Sequence, residues 1–177
     1  MSRVALSLCL VFAGLVVASV GRVDAASDVA SRSVSGLLVP RFVSLKSDRV
    51  NVRRGPNKDN EVTWVYTRAG LPVEITAEYE NWRRIRDWEG AEGWVYHSLL
   101  SGRRTAVVTA KTKMADELVP IYGRADARSY VAARLQPGVL GAVKRCGESW
   151  CRISGDNFDG WIEQQRLWGI YADERVN

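Results

Sequence analysis

Cys146 and Cys151 flank the loop Gly147-Glu148-Ser149-Trp150, and their type and spacing raise the first chemical question. Three chemistries use such a pair. A zinc site needs at least two further ligands, and the single histidine, His97, lies in a different segment. A redox centre usually takes the form Cys-x-x-Cys at a helix start. Here four residues separate the two thiols, in a stretch that reads as strands. The third chemistry, a structural disulfide, requires an oxidising compartment, and the N-terminus bears on that.

Catalytic groupings are sparse. His97 and Ser98 are adjacent, too close in sequence to imply a nucleophile and its base. Asp87, Glu89 and Glu92 cluster on one short loop and read as a solvated loop, not as two carboxylates held across a cleft. No glycine loop followed by Lys-Ser/Thr is present to cradle a phosphate. The expectation is a protein without catalytic residues, metal or cofactor.

One arginine precedes the uncharged, mostly apolar run Val4 to Val20, and small residues follow at Val23 and Ala25. This is the order of a secretory signal peptide, with cleavage expected after Ala25. A retained membrane anchor is the alternative, although the run is shorter than the roughly 20 residues a span needs. No later segment is apolar enough to cross a membrane. Cleavage would remove Cys9 and leave two cysteines, an even number in an oxidising periplasm, so a Cys146–Cys151 disulfide is expected. It would also remove Arg3, Arg22 and Asp24, taking the formal charge from +5 to +4. Arginine pairs such as Arg53-Arg54 and Arg83-Arg84 scatter this mild excess over a mixed-sign surface. Export excludes nucleic acid as a natural partner.

The elements that must hold these residues come in two copies. At an offset of 68, Gly55 falls on Gly123, Gly70 on Gly138, Trp82 on Trp150 and Ile85 on Ile153. With one residue dropped, Gly93-Trp94 falls on Gly160-Trp161 and Gly102 on Gly169. Each copy reads as five short strands with turns between them, the signature of a small β-barrel. In the first copy these begin at Val50, Val62, Pro72, Trp82 and Gly93. The expected organisation is a signal peptide (1–25), a flexible leader (26–39), barrel 1 (40–102), a short, partly ordered linker (103–113) and barrel 2 (114–172).

The run Val50-Asn51-Val52-Arg53-Arg54-Gly55-Pro56, then Gly70, Trp82-Arg83-Arg84-Ile85 and Gly93-Trp94-Val95, resembles the bacterial SH3 (SH3b) domain over residues 45 to 101. The second copy is less complete, with Pro120-Ile121-Tyr122-Gly123 in place of the Asn-Val-Arg run. The resemblance implies an all-β chain of two tandem SH3-like barrels, similar to exported tandem-SH3b proteins of Gram-negative bacteria. It further implies a non-catalytic module that binds peptidoglycan or an extended peptide of an envelope protein. A structural adaptor, or a regulator of a separate wall hydrolase, is the alternative.

Two local expectations follow. The repeat places Cys146 on Glu78 and Cys151 on Arg83, opposite each other across a hairpin, within disulfide reach. The first copy would fill that slot with an exposed acid–base pair, the second with a disulfide. Simple alternation from Cys146 would turn Lys144 inward, which a β-bulge would cure. The other expectation is an aromatic groove between the Arg53-to-Asn60 loop and the Asp87-to-Glu92 loop. Arg53, Arg54, Asn57, Tyr66, Trp88 and Tyr96 are its candidate ligand-binding residues, with Trp88 exposed.

Overall fold

The computed structural model describes residues 31–110 and 118–177. The signal segment 1–25, the first residues of the leader and the end of the linker lie outside the described residues. A two-stranded ribbon, Ser31–Arg32 (β1) with Leu38–Val39 (β2), opens the described chain. The first barrel follows as Arg41–Leu45 (β3), Val50–Arg53 (β4), Val62–Tyr66 (β5), Pro72–Tyr79 (β6), Trp82–Arg86 (β7) and Glu92–Tyr96 (β8). A 3-10 turn, His97–Leu99, and Leu100–Ser101 (β9) complete it. The second barrel comprises Thr105–Val108 (β10), Val119–Tyr122 (β11), Val131–Leu135 (β12), Leu140–Gly147 (β13), Trp150–Gly155 (β14) and Phe158–Glu163 (β15). Its own 3-10 turn, Gln164–Arg166, leads to Leu167–Trp168 (β16).

The two sheets have one topology. The first runs β5-β4-β8-β7-β6-β3-β9 and the second β12-β11-β15-β14-β13-β10-β16, so each strand's counterpart lies seven numbers on. Trp82 pairs with Tyr79 and Tyr96, and Trp150 with Gly147 and Glu163, which are equivalent positions. Gly70 and Gly138 both take the left-handed backbone (φ 81 and 87) at the turn before the long central strand, where a Cβ would add strain. The chain is all-β, two SH3-like barrels in tandem.

Each barrel has seven strands where the sequence suggested five. The additions are β3 and β9, and their counterparts β10 and β16. β3 was hard to read because it is covered on both faces, so its residues do not alternate apolar with polar. Leu45 joins the first core, while Phe42, on the other face, packs against Trp168 and Tyr171 of the second barrel. β10 falls inside the stretch read as a linker, yet Ala106, Val107 and Val108 are each no more than 2% exposed. Successive residues of a strand face opposite ways. Ala106 and Val108 therefore pack in the second core, while Val107 packs in the first.

β10 thus docks the barrels together. Tyr171 donates its hydroxyl to Glu74 (2.9 Å), which also receives Nε of Arg86 (3.0 Å), and Thr105 donates to the Gly70 carbonyl (2.7 Å). The second barrel also extends past residue 172. Val176 exchanges backbone hydrogen bonds with Cys146, and Arg104 holds Glu174 with both guanidinium nitrogens (2.5 and 3.1 Å). The leader is tied down near its end, since Ser35 donates its backbone N–H and its hydroxyl to Glu78 (2.8 and 2.9 Å).

Candidate binding groove

The hairpin that joins β13 to β14, with its counterpart between β6 and β7, answers the cysteine question. Cys146 and Cys151 are cross-strand partners with Cα atoms 4.1 Å apart and are joined by a disulfide; Glu78 and Arg83 occupy the same register in the first barrel. A bulge lies between Val143 and Arg145, leaving Lys144 exposed, and its twin lies between Ile75 and Ala77. The pair Glu78–Arg83 is not exposed, in contrast to the sequence reading. Arg83 shares a sheet face with Ile85 and Val95, so the slot points inward, and the Glu78 side chain is fully covered. Arg41 Nη2 (2.5 Å) and Arg83 Nε (3.1 Å) both reach Glu78 Oε1. Burial pushes the Glu78 carboxyl up, but bonds from Ser33, Arg41 and Ser35 outweigh it and hold the pKa down at about 2.

Arg83 also supports the turn of this hairpin. Its Nη1 donates to the carbonyls of Glu80 and Trp82, both at 2.9 Å. Glu80 has φ 47, an uncommon conformation for a residue with a side chain, and this bond helps to hold it. The turn is one wall of a cleft of about 750 Å3, in the usual range for ligand sites. Tyr79, Glu80, Asn81 and Trp82 form that wall, Pro56 to Asp59 form the other, and Tyr96 lies between them.

The facing loop, between β4 and β5, is braced by its own bonds. Arg53 Nη1 donates to the Asn60 carbonyl (2.6 Å), Asn57 Oδ1 accepts the Asp59 N–H (3.2 Å), and Arg54 pairs with Glu61 in solvent (3.0 Å). Tyr96 stands edge-to-face with Trp82, ring centroids 5.4 Å apart at 82°. Lys58 Nζ lies 5.9 Å from the centre of the Tyr96 ring, within cation–π range. The His97 ring is tilted against Tyr96, ring centroids 5.0 Å apart.

The structure therefore brings together two of the six candidate residues, Asn57 and Tyr96. Arg53 and Arg54 flank them on the same loop, engaged in the loop's own bonds. Tyr66 and Trp88 are elsewhere. Tyr66 is a core residue, 8% exposed, and donates its hydroxyl to Asp87 Oδ2 (2.7 Å). Burial pushes that hydroxyl's pKa up, and the bond to Asp87 adds to the shift. Trp88 is only partly exposed and packs against the first core.

The acidic loop is not the groove's second wall. Asp87 is 5% exposed and caps its own loop, accepting the N–H groups of Glu89 (3.0 Å) and Ala91 (2.9 Å). Its carboxylate is structural, which the reading of a solvated loop missed. Lys58, which lies in the Arg53-to-Asn60 loop, and Tyr79 and Asn81 of the hairpin turn also line the cleft, although none was among the six candidates. The available signal was the cross-strand pairing of Trp82 with Tyr96, which sets the Tyr79–Trp82 turn beside Tyr96. In the second barrel Glu163 stands where Tyr96 stands in the first, and Trp150 instead meets Tyr122 edge-to-face at 5.6 Å.

Paired barrels of this size, each with a braced loop facing a hairpin turn, define the class of small β-barrel domains. The chain belongs to the bacterial SH3 domain family, whose model matches residues 46–102 and 115–169. No curated protein matches the chain. Among solved structures it is similar to NlpC2 from Trichomonas vaginalis, at 12% identity and a TM-score of 0.33, with 73% of this chain and 48% of that one covered. It is likewise similar to NlpC1 from Trichomonas vaginalis, at 14% identity and a TM-score of 0.34, with 80% and 49% covered. The chain spans about half the length of these structures. Among the described residues no helix is long and apolar enough to cross a membrane.

Proposed function

We propose that the chain is an exported, non-catalytic binding protein of the bacterial envelope, whose first barrel takes an extended peptide, the peptidoglycan stem peptide being the leading candidate. The observation that carries this reading is the cleft at Tyr96. The rings of Tyr79 and Tyr96, backed by the largely buried Trp82, sit beside the amides of Asn57 and Asn81 and charges of both signs, Lys58, Asp59 and Glu80. A short peptide with free amino and carboxylate groups has matching chemistry, and Tyr and Trp supply contact area with few rotors to freeze. The disulfide supports a periplasmic location after removal of residues 1–25.

The test is retention on insoluble peptidoglycan. Binding through the groove survives about 0.5 M salt, where the Debye length falls to a few ångströms, and is lost in Tyr96→Ala while the far-ultraviolet spectrum is unchanged. Retention equal to wild type in Tyr96→Ala contradicts the groove. Loss of all retention at that salt assigns it to the basic surface instead.

A second reading, an adaptor that holds envelope proteins together, is favoured by the second barrel. Its edge strand β12 exposes Val131 (38%), with Tyr130 (70%) beside it, an arrangement open to strand addition by a partner. Under that reading peptidoglycan fails to retain the chain, and Tyr130→Asp abolishes capture of the partner.

A further inference from the structure

Docking through β10 leaves an open cleft of about 450 Å3 between the two barrels, with no lining residue in common with the cleft at Tyr96. Lys46 and Arg68 line it from loops of the first barrel, and Arg103 from the segment that crosses to the second. The opposite wall is built by Gly141 of β13, by Ser154 and Gly155 at the end of β14, and by Asp156 in the turn that follows. None of the three cations makes an ion pair or a side-chain hydrogen bond among the described residues. Elsewhere the chain pairs its guanidinium groups readily: Arg41 and Arg83 on Glu78, Arg86 on Glu74, Arg104 on Glu174.

The balance of charge in the cleft is positive, because Asp156 is the one carboxylate among its lining residues. Like charges gathered in a concave, low-dielectric surface raise the local potential and draw in counter-ions. Ser101 and Ser154 add hydroxyls on facing walls, the Ser101 oxygen accepting the Arg103 N–H (3.2 Å) with its proton left to donate, while the Thr105 hydroxyl is already committed to the Gly70 carbonyl. We propose that this inter-barrel cleft is a site for an oxyanion, a carboxylate or phosphate carried on a hydroxylated chain, held by Lys46, Arg68 and Arg103 against the Ser154–Asp156 segment. The site exists only where the barrels are docked, so its occupancy clamps them together. It shares no residue with the groove at Tyr96, and neither proposal depends on the other.

The test is an amide chemical-shift titration of the intact chain at constant ionic strength and neutral pH, with inorganic phosphate in one arm and D-glucuronate in the other. The expected result is saturable shifts at Gly70, Gly141 and Gly155 in at least one arm, and the arm that saturates identifies the oxyanion. Arg68→Gln/Arg103→Gln then weakens binding about 10-fold, roughly 3-fold for each exposed cation removed. The control Arg124→Gln/Arg145→Gln removes the same charge outside the cleft and leaves binding unchanged. Absence of saturation up to about 50 mM in both arms, far weaker than a millimolar site, overturns the proposal. Equal weakening by the control variant overturns it as well.

Discussion

Replacing Glu78 by alanine tests how the first barrel holds its hairpin. The carboxylate accepts the Ser35 N–H at 2.8 Å, the Ser35 hydroxyl at 2.9 Å, Arg41 at 2.5 Å and Arg83 at 3.1 Å. Its side chain is fully covered, while Arg41 and Arg83 retain 20% and 10% exposure. Removing one partner of a buried ion pair costs about 3–5 kcal/mol, because the remaining charge loses its counter-ion without regaining water. Both guanidinium groups touch solvent and can partly rehydrate, which places the cost near the lower end, about 3 kcal/mol. For a folded body of this size that is a drop in Tm of roughly 10 °C. The assay is thermal denaturation followed by circular dichroism, with Glu80→Ala on the exposed turn as the control. A drop of less than about 2 °C, the scale of a solvent-exposed ion pair, would refute the inward-facing reading.

Other outcomes follow from the same geometry. Cys146→Ser lowers Tm by roughly 6 °C, since a disulfide closing so short a loop contributes about 2 kcal/mol in the chain-entropy account; reducing agent has the same effect on wild type and none on the variant. Trp88→Ala destabilises the first barrel by roughly 2 kcal/mol in denaturant unfolding, because the indole packs on the core; an unchanged midpoint would show that the ring is exposed. Glu78 sets an acid limit. Its folded pKa of about 2 lies below the ordinary 4.5, so its contribution is complete above about 4.5 and is lost as pH falls toward 2. Over that window the Tm of wild type falls more steeply than that of Glu78→Gln, and parallel curves would contradict the assignment.

The repeat made much of this legible in the sequence. Trp82 and Trp150 and the cysteine slot follow from aligning one copy on the other, because register is a property of the shared sheet, whereas the bulge beside Lys144 was signalled only by the alternation that it interrupts. What escaped has a common cause. β3 and β10 are covered on both faces by a second barrel that no local pattern announces, and Phe42, Trp168 and Tyr171 meet only after docking. Charge misled in the other direction. Asp87 and Glu78 sit among polar neighbours in sequence, yet their partners, Tyr66 and Arg41, come from strands 21 and 37 residues away. Of the cleft at Tyr96, one wall is the loop at Asn57 that the sequence reading singled out, while the other is the Tyr79–Trp82 turn and not the acidic loop.

The most direct measurement of the central claim is a chemical-shift titration of the chain with soluble stem peptide. The account predicts saturable shifts confined to Asn57, Lys58, Glu80, Asn81, Tyr96 and the Trp82 indole N–H. Shifts confined to the second barrel, or none at saturating peptide, would contradict it.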